Sequence, residues 1–178
     1  MRAIINGKVV LPDRAVENAC LLFDEKIIGL TVKEALPEGT ELIDAGGALV
    51  IPGLIDMHIH GYLGEDASDG TFEGIRTMAE GVAKNGVTGF LPTTMTVSYA
   101  ELRAAFAQIR AAIAACKAPD WQGAEILGVN AEGPFINPSK KGAQAGENIR
   151  PGDAAFLQEY LDIIRVFTIA PEMPGNMD

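Results

Sequence analysis

Two histidines and one glutamate carry the clearest chemistry in this sequence. His58 and His60 are its only histidines, and they close the run Pro52-Gly53-Leu54-Ile55-Asp56-Met57-His58-Ile59-His60-Gly61. That run reads as a buried β-strand. Residues i and i+2 of a strand project from one face, so the two imidazoles point the same way, inward if the strand lines a barrel. Two neutral imidazoles on one rigid strand form half of a divalent-metal site. A chance pair, or two hydrogen-bonded core histidines, is the alternative. Glu132 follows a later predicted strand, Glu125–Ala131. In parallel α/β architectures functional groups gather at the carboxyl ends of the strands, which would put all three residues on one rim. A carboxylate there completes or bridges the ligand set and leaves a position open for water, whose pKa the ion lowers. An exposed loop acid or a turn cap is the other reading of Glu132.

Beyond Glu132 runs an irregular stretch, Gly133 to Gly152, punctuated by Pro134, Pro138, Gly142, Gly146 and Pro151. Irregular segments of that length are either functional lids or disordered. Within it Gln144 offers an amide that suits a sugar or carbonyl oxygen, or simply water. Lys140, Lys141 and Arg150 are cations that could meet an anion or stay solvated. Asp56 shares the face of His58 but lies deeper, where a structural hydrogen bond is the expected role. Asp69, Thr93, Thr94 and Glu172 carry no assigned role.

The elements that must position these groups fall into two patterns. Residues 1–51 read as short strands. Ala3–Ile5 and Lys8–Leu11 flank Asn6-Gly7, a dipeptide suited to a tight hairpin. Ala19–Phe23 and Ile27–Val32 form a second hairpin, and Glu41–Ile43 and Ala48–Ile51 follow. These strands make part of a small β-sandwich that needs strands from elsewhere. From residue 52 to 178 strands and helices alternate. Strand Leu54–His60 precedes a helix from about Phe72 to Lys84, with Phe72, Ile75, Ala79 and Val82 on one face. Strand Val87–Leu91 leads into Ser98, which with Glu101 fits a capping box before a helix running to about Cys116. After Glu125–Ala131 come a helix over Asp153–Ile164 and a strand over Val166–Ala170. Alternation of this kind predicts an α/β fold with a parallel sheet: either an open four-stranded sheet or the first four βα units of a (β/α)8 TIM-type barrel. A full barrel takes about 250 residues, so the second option has the chain stopping partway round.

The remaining totals narrow the class. The chain has 178 residues and a net charge of −10, which excludes the basic stripe of a nucleic-acid surface. No apolar run reaches membrane-spanning length, and Met1–Gly7 lacks a signal-peptide core. Two distant cysteines, Cys20 and Cys116, fit reduced thiols and a cytoplasmic location.

Asp44-Ala45-Gly46-Gly47, followed by Val50-Ile51-Pro52-Gly53-Leu54-Ile55-Asp56-Met57-His58-Ile59-His60, resembles the opening signature of the amidohydrolase superfamily. Pro92-Thr93-Thr94, Glu132-Gly133-Pro134-Phe135-Ile136-Asn137-Pro138, Lys141-Gly142-Ala143-Gln144 and Ala170-Pro171-Glu172 narrow the resemblance to its N-acetylglucosamine-6-phosphate deacetylase family. The resemblance implies a distorted (β/α)8 barrel with a small β-sandwich, and a homodimer. It also implies one or two divalent metal ions, zinc, iron or manganese, and hydrolysis of the acetamide of an amino sugar phosphate. By position, His58 and His60 would ligate the metal, Glu132 would ligate or bridge, and Gln144 with the backbone at Ala143 would touch substrate. The family's other metal-binding histidines and its proton-shuttling aspartate would lie beyond Asp178, so no catalytic acid–base residue is expected within the chain. Two other readings remain: another superfamily amidase, such as a dipeptidase or a dihydroorotase-like enzyme, and a non-catalytic half-barrel that serves binding or assembly.

Overall fold

Strand β1 (Arg2–Val10) is the axis of the first unit, and alternate residues Ala3, Ile5 and Val9 are buried along it. Antiparallel β2 (Ala15–Phe23) lies on one side of β1, with β3 (Ile27–Thr31) beyond it. On the other side β4 (Glu41–Asp44) and β5 (Leu49–Val50) run parallel to successive parts of β1. The expected hairpin at Asn6-Gly7 is absent, because β1 passes straight through that dipeptide. Asn6 takes a φ of 55° and the register with β2 slips on both sides of Gly7, the mark of a bulge. The cause is on the far side of the strand. Asn6 Nδ2 donates to Asp44 Oδ2 at 3.0 Å, and its carbonyl accepts from Gly47 N at 2.7 Å. These bonds satisfy the dipeptide where a turn would otherwise form. The second hairpin, β2 to β3, forms as expected.

Contacts divide the chain into two units, Met1–Pro52 and Gly53–Asp178; the computed structural model describes residues 1–177. The second unit is mixed α/β. Its strand β6 (Leu54–Ile59) pairs in parallel with β9 (Val87–Pro92), which pairs in parallel with β10 (Glu125–Ile126). A small antiparallel ribbon, β7 (Gly61–Tyr62) and β8 (Glu65–Asp66), follows β6. Strand β11 (Val129–Glu132) pairs in parallel with β12 (Ile164–Thr168), and a bridge from Thr93 to Asn130 joins β11 to the end of β9.

Helix α1 (Phe72–Ala83) starts at Thr71, whose Oγ1 accepts from Gly74 N at 3.2 Å. Ile75, Met78, Ala79 and Val82 form its buried stripe, at the three- and four-residue spacing of one helical face. Helix α2 (Tyr99–Ala115) carries the full Ser98–Glu101 capping box and buries Leu102, Ala105, Phe106, Ile109 and Ala112. These faces close on Phe90, Ile126 and Val129 of the strands, all at most 1% exposed.

Three expectations need correction here. First, β6 is not buried: Leu54, Ile55 and Met57 are 52%, 55% and 62% exposed. Only one of its edges is hydrogen-bonded among the described residues, so its apolar side chains lack cover. Secondly, the third predicted strand is broken into β10 and β11 at Leu127-Gly128. Gly128 has a φ of 148°, and a Cβ there would meet Arg165 Cγ at 2.4 Å and Ile163 O at 2.6 Å. The chain crosses from β9 to β12 at that point, and only glycine allows the approach. Thirdly, the helix expected over residues 153–164 is the short α3 (Ala154–Gln158). Ile164-Arg165-Val166-Phe167 is rich in strand-forming types and joins the β11 ladder, which overrides the helical spacing before it. Arg103 and Arg110 of α2 hold the intervening turn through ion pairs to Glu159 and Asp162. Among the described residues no helix is long and apolar enough to cross a membrane.

Candidate metal centre

His58, His60 and Glu132 meet at one point of the second unit. His58 Nε2 lies 3.3 Å from His60 Nε2 and 3.1 Å from Glu132 Oε2, and His60 Nε2 lies 3.7 Å from the same oxygen. Donors held at 2.0–2.1 Å from a tetrahedral ion stand about 3.3–3.4 Å apart. The triangle therefore has the edge lengths that a bound divalent ion needs, with little movement of the side chains. Glu132 is the best shielded member, its side chain 17% exposed, while His58 is half exposed.

Each donor is steered by its surroundings. Asp56 Oδ1 accepts from His58 N at 3.0 Å, the structural role expected of it. His60 Nδ1 lies 3.0 Å from Thr93 O. A carbonyl only accepts, so the ring proton of neutral His60 is on Nδ1 and the lone pair of Nε2 faces Glu132. This is the arrangement in which backbone carbonyls prepare metal-binding imidazoles. The end of β6 is in turn latched to β9: Ile59 N donates to Thr93 Oγ1 at 3.1 Å, and Thr93 N to Ile59 O at 2.9 Å. Thr93 and Thr94 are both fully buried, and Thr94 Oγ1 donates to Glu132 O at 3.2 Å.

The stretch after Glu132 is pinned to the unit rather than extended from it. Arg150 N donates to Pro134 O at 3.0 Å, Ala170 N to Phe135 O at 2.9 Å, and Phe135 is fully buried. Gly133 turns the chain from strand to loop with a φ of 69°, packed against Thr96. Gln144 is 6% exposed and its side chain reaches Glu132 Oε1 at 2.6 Å. Ala143 is exposed beside it. Lys141 Nζ donates to Gln144 O at 2.9 Å and Arg150 Nη1 to Glu147 O at 2.8 Å, so both cations have partners within the loop. Glu172 accepts from Asn137 Nδ2 at 2.9 Å, a bond that holds its carboxyl below the usual range.

Residue patterns did not single out Asn130. It is 3% exposed, and its Nδ2 donates to Met57 O at 3.0 Å, tying β11 directly to β6 beneath the imidazoles. Its place two residues before Glu132 gives it the same strand face. Thr96 was also missed, since it contributes a backbone N–H that no side-chain pattern encodes.

With this geometry in hand, relatives give it context. Residues 41–122 match the Amidohydrolase family. N-acetylglucosamine-6-phosphate deacetylase of Bacillus subtilis (strain 168) is 36% identical over 140 residues, covering 76% of this chain and 35% of that protein. The enzyme of the same name from Vibrio furnissii is 34% identical over 183 residues, covering 98% of this chain and 43% of that protein. The crystal structure of N-acetylglucosamine-6-phosphate deacetylase from Pasteurella multocida superposes with a TM-score of 0.87 at 27% identity. That match covers 98% of this chain and 46% of the other. The chain thus spans less than half the length of each of these relatives.

Proposed function

Because the chain belongs to the amidohydrolase family and matches N-acetylglucosamine-6-phosphate deacetylases, we propose that it contributes to metal-dependent hydrolysis of N-acetylglucosamine 6-phosphate, giving acetate and glucosamine 6-phosphate. The observation that carries this reading is the convergence of His58 Nε2, His60 Nε2 and Glu132 Oε2 within 3.1–3.7 Å of one another. Nitrogen and carboxylate donors of this kind suit zinc, iron or manganese, as one ion or two. A divalent ion supplies Lewis acidity, which polarises an amide carbonyl and makes water nucleophilic near neutral pH.

The chain's own residues have definite tasks in this reading. His60 is held in its ligating tautomer by Thr93 O, and His58 presents its ring from the same strand face. Glu132 brings the negative charge that two neutral imidazoles lack. Exposed Ala143 and the neighbouring Gln144 border the centre on the loop side, where the sugar is proposed to approach. We read β6, β9, β10–β11 and β12 as the opening strands of a (β/α)8 barrel, supported by their parallel order. The homodimer implied by the resemblance belongs to the same proposal, with sedimentation as its check.

Acetate release from N-acetylglucosamine 6-phosphate by the intact protein tests the substrate. Failure there, with turnover of a dipeptide or dihydroorotate, overturns it in favour of another amidase. Metal content tests the centre separately: changing His58 and His60 together to alanine is expected to abolish stoichiometric cobalt or zinc binding, and unchanged stoichiometry refutes the ligand assignment.

A further inference from the structure

Gln144 is an amide beside a rim of ligating groups, yet both ends of its side chain are engaged with the protein. Thr96 N lies 2.6 Å from Gln144 Oε1, and Gln144 Nε2 lies 2.6 Å from Glu132 Oε1. A backbone N–H can only donate, so the oxygen of the amide must face Thr96. The NH2 group must then face Glu132, which fixes the amide orientation without ambiguity. The backbone of Gln144 is fixed as well: its N donates to Lys141 O at 3.1 Å, and its carbonyl accepts from Lys141 Nζ at 2.9 Å.

We propose that Gln144 is the positioning residue of the metal centre, locking Glu132 by its Oε1 so that Oε2 alone is presented to the ion. The inference rests on the metal-centre reading above and extends it to a residue that is not itself a ligand. A free carboxylate can rotate about its last torsion and chelate with both oxygens. A carboxylate that already accepts a short, charge-assisted bond on one oxygen loses that freedom. The donor is itself held by Thr96, the last link of a chain running from backbone N–H through amide and carboxylate to the two imidazoles. Gln144 is buried, and its amide ties the loop to Glu132.

Cobalt(II) binding separates this role from a merely structural one. In the wild-type protein, cobalt affinity measured by chelator competition and the visible d–d spectrum set the reference. Gln144→Met keeps side-chain length but removes both bonds. It is expected to weaken cobalt binding about 10- to 100-fold, as the loss of such outer partners typically does. It is also expected to change the d–d spectrum, as Glu132 becomes free to chelate. Both are read well below the melting temperature, with the far-UV spectrum unchanged. A folded variant with wild-type affinity and spectrum, even one with a lower melting temperature, overturns the proposal. His58→Ala serves as the control. If it binds cobalt as well as the wild type does, or if the wild type binds none, the metal-centre reading fails and the proposal falls with it. If His58→Ala loses cobalt while Gln144→Met does not, only the role of Gln144 falls. Should Gln144→Met not fold, the wild type still decides. Its Gln144 side-chain amide is expected to exchange slowly with solvent and to shift on zinc addition, and a freely exchanging, zinc-insensitive amide overturns the proposal.

Discussion

Replacing Gly133 with alanine strikes the junction between strand, loop and ligand, and its cost follows from the geometry. An added Cβ would lie 2.2 Å from Thr96 Oγ1, 2.8 Å from Thr96 Cα and 3.0 Å from Thr96 Cβ. Rotating the threonine side chain relieves the first contact but not the second, which is to backbone. The backbone around Thr96 must therefore retreat. Ordinary contact needs a retreat of about 0.6 Å, and because Thr96 N donates to Gln144 at 2.6 Å, a shift of that size away from Gln144 stretches the bond to the limit of hydrogen-bonding distance. The left-handed φ of 69° adds about 1–2 kcal/mol for any residue with a Cβ. Weakening of this buried hydrogen bond, together with the strain around Thr96, adds about 1–3 kcal/mol. Gly133→Ala is thus expected to destabilise the protein by about 2–5 kcal/mol. Urea unfolding followed by far-UV circular dichroism measures it. Combining it with Thr96→Ala removes the side-chain clash but leaves the backbone one, so the pair should be sub-additive by at least about 0.5 kcal/mol. A Gly133→Ala protein within about 0.5 kcal/mol of wild type would refute the reasoning, since strictly surface changes fall in that range.

Two further tests follow from groups outside the ligand triangle. The Tyr99 hydroxyl is pushed up to about 12 by burial and by its hydrogen bond to Asp153, from an ordinary 10.0. The folded state thereby favours the neutral phenol, so its contribution is whole below pH 10 and is lost as pH rises from about 10 to 12; Tyr99→Phe should flatten the alkaline limb of a stability–pH curve, and an unaltered limb would exclude Tyr99 as its source. Asn130→Asp keeps the shape of the side chain but sets an acceptor against Met57 O in a buried position, so it should destabilise more than Asn130→Ala in urea unfolding. The reverse order would show that the Asn130–Met57 bond is not what joins β11 to β6.

Much of this was legible in the sequence for local reasons. The His58/His60 pairing needs only the two-residue period of a strand, and the Ser98–Glu101 cap needs only its own first turn. The stripes of α1 and α2 follow from spacing alone. What failed depended on distant partners. Asn6-Gly7 has the composition of a hairpin, but Asp44 and Gly47 hold it in a continuous strand. The helical spacing up to Ile164 lost to a ladder with β11 that lies 35 residues earlier in the chain. The burial foreseen for β6 failed because an apolar strand is buried only if something covers it, and in this chain one edge has no partner among the described residues. At the centre, the sequence pointed to the three side chains that the structure brings together but not to what holds them. Thr93 O and Thr96 N are backbone atoms, and their role is invisible to residue type.

The way Glu132 reaches the histidines says something about the sheet that carries them. Strand β9 lies between β6 and β11, and neighbouring strands stand about 4.8 Å apart, so β6 and β11 would be nearly 10 Å apart in a flat sheet. An asparagine side chain is too short to cross that gap, yet Asn130 Nδ2 donates to Met57 O at 3.0 Å. The sheet must therefore curl so that β6 and β11 lean toward each other over β9. The same curl brings His58 Nε2 within 3.1 Å of Glu132 Oε2 one pleat further along. Curvature of this sense, with these side chains on the concave face, is what a closed barrel requires of its strands. It is also the physical reason that two imidazoles and a carboxylate 72 and 74 residues away in sequence meet at one point. The convergence of the three side chains and the bend of the sheet are one feature, so removing the Asn130 bond is expected to move His58 and Glu132 apart although neither is touched.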